Sequence, residues 1–276
     1  MVENSIDELE AADNLEKGGS IIHMERMELN AGDWRSADAG LLREMPLTLF
    51  VDGKELVTIQ CTPSKLNCLV VGFLHLERLI SSIDDIGLLR VCEEDNVAEV
   101  RTNRGDVVFP ARRTLTSGCG GGTALDADWE SLPEVRSTFT LESGQVLSLS
   151  RGLQDAATLY RQSGGVHTSA LADSTGLIAV AEDVGRHNTI DKIHGECLLT
   201  GISTRDRALF TTGRISSEML TKAVKMAVPI VVSRSAPTDR SVQIAREKGI
   251  TIIGYARGSR MSIYTHPWRV SDCPLG

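Results

Sequence analysis

The first half of the chain alternates apolar and polar positions in short segments. Residues 47–51 and 55–60 have the period-two pattern of strands, and Asp52-Gly53 between them is typical of a tight hairpin turn. Apolar residues at helical spacing follow over 66–80, behind Thr62-Pro63, a pair typical of a helix start. The pattern therefore predicts a β-hairpin and then a helix.

Less regular segments surround these elements. Residues 1–40 are polar and weakly periodic, and we interpret most of them as a mobile leader. A second hairpin is predicted from 97–101 and 106–109, joined near Gly105. Residues 117–122 contain four glycines, which are costly to order, so a loop is predicted there.

The second half changes from β-hairpins to an alternation of strands and helices. It begins with a predicted helix over 153–162, ended by Gly164-Gly165, and with strands at 168–171 and 177–181. A helix follows behind Asn188, a residue type that favours the N-cap.

Three apolar strands then alternate with two helices. This alternation predicts a parallel sheet with helices packed on its faces. The strands are 208–211, 230–232 and 250–253, and the helices are 216–227 and 239–248, the second capped by Thr238 and stopped by Gly249.

The composition is that of an ordinary globular protein. Of 276 residues, 41% are apolar and 24% are charged, which excludes a disordered chain, a collagen-like repeat and a small disulfide scaffold. The acidic start lacks the basic and apolar regions of a signal peptide, and no apolar run approaches the ~20 residues that span a bilayer. The six cysteines include no CxxC pair, so we predict reduced thiols and no four-cysteine zinc site. These features predict a cytoplasmic protein without a membrane partner.

The charge is distributed unevenly along the chain. The net charge is −8, but residues 205–276 hold twelve Lys and Arg against five Asp and Glu, a net charge of +7. The first 204 residues therefore carry −15, which would repel a long nucleic acid. A basic C-terminal quarter suits an anionic small molecule, although charge alone leaves a solvated helix face as an equal alternative.

Candidate binding residues follow the three predicted strands of the C-terminal half. Residues 211–217, 233–238 and 254–260 supply Ser and Thr hydroxyls, Arg side chains and helix N-termini, the groups that bind phosphate. The carboxyl ends of parallel strands meet at one edge of a sheet, where ligands bind. Any one segment is more simply a capped turn, but the three together favour a phosphate-bearing ligand.

Two other segments contain reactive side chains. Residues 182–192 place acids, Arg, His and Lys around a predicted helix start, where Asp183 is placed to accept a hydrogen bond from His187. Capping and surface ion pairs explain that pattern equally well, and His167 is a weaker instance of it. Cys119 lies in the glycine-rich segment, near Arg112 and Arg113, which would stabilise its thiolate. A glycine loop without a role for the thiol is the alternative.

Several ordered motifs between Pro46 and the C-terminus resemble the formate dehydrogenase accessory sulfurtransferases, the FdhD family. They are residues 164–170, 182–188, 213–219, 233–238, 253–260 and 264–267. The resemblance implies an α/β fold with a C-terminal cytidine-deaminase-like α/β/α domain and a smaller N-terminal α+β domain, and it implies a homodimer. The expected divisions are a flexible leader over 1–44, the N-terminal domain over 45–125 and the C-terminal domain over 126–276.

The resemblance also implies a function. It is the transfer of sulfur from a cysteine desulfurase to the molybdenum or tungsten bis(molybdopterin guanine dinucleotide) cofactor, which formate dehydrogenase needs. Cys119 matches the family's persulfide carrier. The family's cofactor-contacting stretch maps onto Tyr255, Ala256, Arg257, Gly258, Ser259 and Arg260. The sheet edge adds Arg214, Ser216, Ser217, Ser233, Arg234, Ser235 and His187 as expected cofactor-binding residues.

The sequence departs from the family at one position. Many members carry CxxC in the loop, whereas here the second position is Gly122, so Cys119 has no partner thiol within the loop. A single-cysteine persulfide mechanism is chemically sufficient. The alternative is a non-catalytic chaperone that binds the guanine dinucleotide cofactor and carries it to formate dehydrogenase. A nucleoside deaminase is disfavoured, because no H-x-E followed by P-C-x-x-C is present to bind zinc.

Overall fold

The computed structural model describes residues 19–103, 105, 114–115, 123–124 and 129–275. It begins with a two-stranded antiparallel ribbon of β1 (Ile21–Asn30) and β2 (Asp33–Leu42), paired from Ile21 opposite Leu42 to Asn30 opposite Asp33. The interpretation of this stretch as a mobile leader is therefore wrong for the strands. The alternation was obscured because apolar side chains lie on both faces of the ribbon.

A four-stranded sheet follows, in the order β4-β3-β6-β5. The predicted first hairpin is confirmed as β3 (Met45–Val51) and β4 (Lys54–Cys61). Strand β6 (Val97–Thr102) pairs in parallel with β3 and antiparallel with β5 (Ile86–Cys92), which a 3₁₀ turn at Ile83–Asp85 precedes. Because both edges of β6 are occupied, its predicted pairing with 106–109 is wrong, and 106–109 lie outside the described residues.

Helix α1 (Leu66–Leu76) covers this sheet, and its apolar face packs on the inner side chains of β3, β4 and β6. The helix begins at Leu66 behind Lys65 and not at Pro63, so the predicted start is wrong. The backbone N–H of Thr62 instead donates to Asp183 Oδ2 at 3.0 Å, and its hydroxyl accepts from Val184 N at 3.1 Å. These contacts, remote in sequence, keep Thr62 out of the helix.

The C-terminal half is built on a six-stranded sheet in the order β10-β9-β11-β12-β13-β14. Only β11, β12 and β13 are mutually parallel, so the predicted parallel sheet is confirmed for these three, and the whole sheet is mixed. The strands are β9 (His167–Ala172), β10 (Leu177–Asp183), β11 (Ala208–Thr211), β12 (Ile230–Ser233), β13 (Thr251–Arg257) and β14 (Arg260–Ile263). Two short strands, β7 (Thr114–Leu115) and β8 (Thr123–Ala124), pair antiparallel before it.

Helices cover both faces of the large sheet. They are α2 (Ser143–Ala156), α3 (Thr158–Ser163), α4 (Arg186–Leu199), α5 (Ser217–Lys225) and α6 (Asp239–Lys248), with a final 3₁₀ turn at Pro267–Arg269. One apolar core joins α2 to the sheet, and a second joins α4, α5 and α6 to the opposite face. The predicted α/β class is confirmed, whereas the likeness to cytidine deaminases and the domain boundaries stay predictions.

Two helix boundaries differ from the sequence pattern. The predicted helix over 153–162 is the end of α2 and the whole of α3, separated at Ala157, where ψ is 78°. Gly185, not Asn188, is the N-cap of α4, and the Asn188 amide donates to Asp183 Oδ1 and to the Gln60 carbonyl. The cap at Thr238 and the left-handed stop at Gly249 are confirmed.

The two halves meet where α1 crosses α4. A Cβ on Gly72 would lie 1.8 Å from the Asp191 carbonyl oxygen, and one on Gly195 would lie 1.9 Å from the Cys68 carbonyl oxygen. Beside this crossing Lys192 forms a fully buried ion pair with Asp183 at 2.7 Å and donates to the Thr62 carbonyl at 3.1 Å. A close helix contact and a buried polar network therefore join the small sheet to the large one.

Candidate functional site

The loops that follow β11 and β12 are hydrogen-bonded to each other at the carboxyl edge of the large sheet. Arg234 N donates to the Thr211 carbonyl at 3.1 Å, and Ile215 N donates to the Ala236 carbonyl at 3.1 Å. Thr238 N, at the start of α6, completes the set by donating to the Ile215 carbonyl at 3.0 Å. The structure therefore brings two of the three predicted binding segments together.

Two of the predicted serines hold these loops in place. The Ser233 hydroxyl is fully buried and donates to the Gly213 carbonyl at 2.6 Å. The Ser216 hydroxyl is the N-cap of α5, where it accepts from Met219 N at 3.4 Å. Ser217, the first residue of α5, and Ser235, in the loop after β12, are half-buried, and direct cofactor contact by any of the four serines stays a prediction.

The third predicted segment is part of a strand pair and not a loop after a strand. Residues 255–257 end β13, and the chain returns as β14 with a register shift between Gly254 and Arg257. Ala256 is fully buried in the core, and its carbonyl accepts from the Ser150 hydroxyl at 2.6 Å. The side chain of Ala256 therefore has a packing role. The other members of the segment are exposed: Tyr255, Arg257, Gly258, Ser259 and Arg260.

A basic ridge stands where this strand pair passes the loop after β12; we define it as Tyr160, Arg234, Tyr255 and Arg257. Partial burial and the charge of Arg257 lower the pKa of Arg234, while Tyr160 acts in the opposite direction. The Arg257 guanidinium lies 5.8 Å from the centre of the Tyr255 ring. Neither arginine forms an ion pair with an acid among the described residues, so the ridge can accept an anion and an aromatic ring together.

Tyr255 occupies an unusual backbone conformation, with φ of 53°. A non-glycine residue in the left-handed region is held there at an energetic cost, and such residues cluster at functional sites. The Tyr255 side chain is exposed, whereas the next residue, Ala256, is fully buried. Arg214, also predicted to bind cofactor, is exposed in the loop after β11.

A histidine cluster lies deeper at the same edge; it comprises His167 at the start of β9, Arg186 and His187 at the start of α4, and Glu218 at the start of α5. A Cβ on Gly213 would lie 3.2 Å from Arg186 Cβ and 3.5 Å from His167 Nδ1, so a glycine lets these side chains approach. His187 Nε2 lies 4.0 Å from Glu218 Oε2, and neither atom has a hydrogen-bond partner among the described residues.

His187 is uncharged at neutral pH. Burial, followed by the charges of Lys222 and Arg186 and by His167, lowers its pKa to about 3. It can therefore give or take a hydrogen bond to a ligand but adds no positive charge to the site. Sequence reasoning did not single out Glu218, although its position two residues after the capping Ser216 placed it on the same helix start.

The predicted hydrogen bond from His187 to Asp183 is wrong. Asp183 is fully buried, and its Oδ1 accepts from Gly185 N and from the Asn188 amide, both at 2.8 Å. Its Oδ2 lies against Thr62 N and the Lys192 ammonium. The carboxylate therefore belongs to the network that joins the two halves and not to the histidine cluster.

Cys119, Arg112 and Arg113 lie outside the described residues. The antiparallel pairing of β7 and β8 places Leu115 opposite Thr123, which brings the two flanks of the Cys119 segment together. Two other cysteines are poor nucleophiles, because burial raises the pKa of Cys61 and of Cys197 to about 12. The remaining described cysteines are Cys68, which is buried, and Cys92 and Cys273, which are half-buried.

Two features are absent from the described part of the chain. No helix there is long and apolar enough to cross a membrane. No three His, Cys, Asp or Glu side chains there are grouped so that they could hold a metal ion.

The chain is similar to known proteins over most of its length. It is 36% identical over 251 residues to the sulfur carrier protein FdhD of Bacillus subtilis (87% of this chain, 94% of the relative) and 36% identical over 253 residues to that of Listeria monocytogenes serotype 4b (89% and 97%). A crystal structure from Desulfotalea psychrophila, described as a candidate formate dehydrogenase accessory protein, shares the fold with a TM-score of 0.76 at 24% identity, covering 91% of this chain and 100% of that one. The family model of FdhD/NarQ proteins matches residues 42–271. The chain belongs to the FdhD/NarQ family.

Proposed function

We propose that the chain is a sulfur carrier for formate dehydrogenase, with Cys119 as the carrying residue. The observation that carries this proposal is family membership along nearly the whole chain, with relatives named as sulfur carriers. The sulfur comes from a cysteine desulfurase and goes to the molybdenum or tungsten bis(molybdopterin guanine dinucleotide) cofactor. The protein acts in the cytoplasm as a homodimer, and formate dehydrogenase receives the finished cofactor.

The transfer needs only one cysteine. The Cys119 thiolate attacks the outer sulfur of the desulfurase persulfide, a new S–S bond forms, and the desulfurase cysteine leaves as a thiolate. Cys119 then holds a persulfide, with no net oxidation in the exchange. Its outer sulfur passes to the metal of the cargo, the S–S bond breaks and Cys119 leaves as a thiolate, while the metal is oxidised by the two electrons that reduce the transferred sulfur to sulfide. Gly122, at the position of a second cysteine in many relatives, is not required for either step.

The basic ridge supports binding of the cargo. The guanine dinucleotide arms of the cofactor carry pyrophosphates, which suit the guanidinium groups of Arg234 and Arg257. The exposed Tyr255 ring offers a stacking surface for a base. The neutral imidazole of His187, which is buried at the same edge of the sheet, supplies a hydrogen bond to the cargo.

A second candidate function is a non-catalytic chaperone that only binds the cofactor and delivers it. The observation that favours it is the basic ridge itself, which residues 160, 234, 255 and 257 form and which suits a nucleotide. Such a protein would bind guanine nucleotides whether or not the thiol is present.

Complementation with Cys119→Ala separates the two functions. In cells that lack the endogenous carrier, we expect the variant to lose formate dehydrogenase activity, while the matched Cys273→Ala variant restores it. If Cys119→Ala restores the activity as well as the parent chain does, sulfur transfer through Cys119 is excluded and the chaperone function remains.

A further inference from the structure

Two histidines are hydrogen-bonded to each other across the crossing of α1 and α4. His194 Nε2 lies 2.9 Å from His75 Nδ1, and the two ring centres are 4.8 Å apart. His194 directly precedes Gly195, and His75 follows Gly72 by three residues, so the pair lies within about one turn of the closest approach of the helices. His194 is 4% exposed and His75 is half-buried, so the contact lies inside the join between the two sheets.

The hydrogen bonds of the pair fix where its ring hydrogens lie. The His75 ring also bonds to the backbone of Ser81, a contact that raises the pKa of the ring and therefore has a ring N–H donating to the Ser81 carbonyl. Because His75 Nδ1 faces His194, the donor to Ser81 is Nε2, and Nδ1 accepts from His194 Nε2. The remaining nitrogen, His194 Nδ1, then carries no hydrogen; it is buried and has no hydrogen-bond partner within the described residues.

The closed pair has no place for another proton. Two neutral imidazoles hold two N–H hydrogens, and both are used, one between the rings and one on the Ser81 carbonyl. A third hydrogen that left both bonds intact would have to lie on His194 Nδ1, where it would be a buried, charged donor without an acceptor in the described part of the chain. Such a group is costly, so a protonated pair and a closed contact exclude each other.

Burial and the surrounding charges also oppose a proton on the pair. Burial is the main cause that lowers the pKa of both rings; for His194, His75 and Lys222 of α5 lower it further, to about 3. Lys225 of α5 acts in the same direction on His75, while Asp85 of the 3₁₀ turn acts in the opposite one. Because both folded-state pKa values lie below the ordinary 6.5, the contact is fully stable above pH 6.5 and loses stability as the pH falls below it.

We propose that the His75–His194 pair is an acid-sensitive joint between the small sheet and the large one. At neutral pH the uncharged pair holds α1 against α4, and in acid it takes up a proton from solvent and the two helices part at this contact. Ile190, Ile193 and Cys197 of α4 face the core of the large sheet, so α4 stays on that sheet while α1 moves away from it. This regulation goes beyond the proposed sulfur transfer and does not depend on it.

Hydrogen exchange of the full chain at pH 7.0 and at pH 5.5 tests the joint. A histidine with the ordinary pKa of 6.5 that takes up its proton only when the contact is open weakens the closed state about tenfold over this interval. After correction for the pH dependence of intrinsic exchange, we expect the protection of α1 and of residues 190–199 to fall by about this factor. Helix α2, which packs on the opposite face of the large sheet, serves as the internal reference. Protection of α1 that does not fall relative to α2 would overturn the proposal.

The double variant His75→Asn with His194→Gln is the matched control. Its side-chain amides place an acceptor near the position of His75 Nδ1 and a donor near that of His194 Nε2, so the hydrogen bond is kept without a group that titrates. His187 and Asp191, whose pKa values are also shifted by folding, are present in both proteins and do not contribute to the difference. We expect the tenfold fall in the parent chain and not in the variant, and an equal fall in both would assign the effect to other groups.

An NMR titration of the parent chain gives a readout that does not require the variant to fold. We expect the ring resonances of His194 in the folded chain to keep their positions between pH 7.0 and pH 5.5, because the closed pair stays neutral. A His194 ring that titrates near pH 6.5 while the amides of α1 stay protected would show that the closed contact accepts a proton, and it would overturn the proposal.

Discussion

At the basic ridge, two guanidinium groups lie within range of each other's charge. Partial burial, and after it the charge of Arg257, lower the pKa of Arg234. A bound anion would favour the charged form of both arginines, so the ridge is suited to an anionic ligand.

Removing either arginine should weaken nucleotide binding. We expect Arg234→Ala and Arg257→Ala each to raise the dissociation constant for GDP about tenfold, equivalent to about 1.4 kcal/mol. Isothermal titration calorimetry measures this. Arg246→Ala, which removes an exposed arginine from the last turn of α6, is the control and should bind GDP like the parent chain. Equal affinities in all four proteins would contradict the assignment of the ridge.

His187 makes the stability of the fold depend on pH. Its pKa is about 3 in the folded state against the ordinary histidine value of 6.5, so below pH 6.5 the unfolded chain binds a proton that the folded chain does not. Stability is therefore lost as the pH falls from 6.5 towards 3. Each pH unit in this window costs about 1.4 kcal/mol for such a histidine.

The variant His187→Gln isolates this contribution. We expect the parent chain to lose more free energy of unfolding than the variant between pH 7 and pH 5, as measured by urea denaturation. His23→Gln is the control, because His23 is exposed on the ribbon. Parallel pH profiles for the parent and His187→Gln would show that folding does not lower the pKa of His187.

At the scale of elements, the crossing of α1 and α4 depends on two glycines. A Cβ at Gly72 or Gly195 would lie within 2 Å of a backbone carbonyl oxygen of the opposite helix, which cannot be accommodated without separating the helices. The contact joins the helix of the small sheet to a helix of the large one. The helices carry their apolar residues into different cores, so the glycines determine how closely the two halves approach.

Alanine at either glycine should therefore be strongly destabilising. We expect Gly72→Ala and Gly195→Ala to lower the free energy of unfolding by at least the 1–3 kcal/mol typical of overpacking. Gly152→Ala on α2 is the matched control, since its Cβ would meet only the Leu177 side chain at 3.9 Å. That substitution should raise stability by roughly 0.5–1 kcal/mol through helix propensity. Thermal melts of the three variants measure the difference, and a Gly72→Ala melt like that of the control would refute the close crossing.

The sequence patterns predicted those elements whose signals are local. The alternation over 47–60, the cap at Thr238 and the stop at Gly249 depend on near neighbours in the chain, and all three are confirmed. The start of α1 was misplaced because Thr62 bonds to Asp183 and Val184, more than a hundred residues away. The ribbon was missed because apolar residues lie on both of its faces, so no single alternation marks its strands.

At the scale of the whole molecule, one buried network ties the two sheets together. Asp183 and Lys192 are both fully buried and form an ion pair. The Asp183 carboxylate accepts hydrogen bonds from residues 62, 185 and 188, and the Lys192 ammonium donates one to the carbonyl of residue 62. A buried pair of this kind leaves an uncompensated charge when one partner is removed. Asn188 and Lys192 of α4 belong to this network, and Arg186 and His187 of the same helix belong to the histidine cluster, so one helix serves both the join and the site.

The sequence patterns predicted the candidate site only in part, as they did the fold. Sequence reasoning placed the two loops after β11 and β12 at one sheet edge, because the carboxyl ends of neighbouring parallel strands must meet there. It did not find that Tyr160, from α3, approaches Arg234, or that Glu218 faces His187. Those contacts depend on how separate elements pack, which spacing along the chain does not encode.

Mass spectrometry of the Cys119 peptide tests sulfur carriage most directly. Cleavage after Arg113 and Arg136 releases residues 114–136, in which Cys119 is the single cysteine. After incubation of the full chain with a cysteine desulfurase and cysteine, we predict that this peptide gains the mass of one sulfur atom and loses it on reduction with dithiothreitol. An unmodified Cys119 peptide, with the added sulfur found only on peptides containing Cys92 or Cys273, would contradict the account.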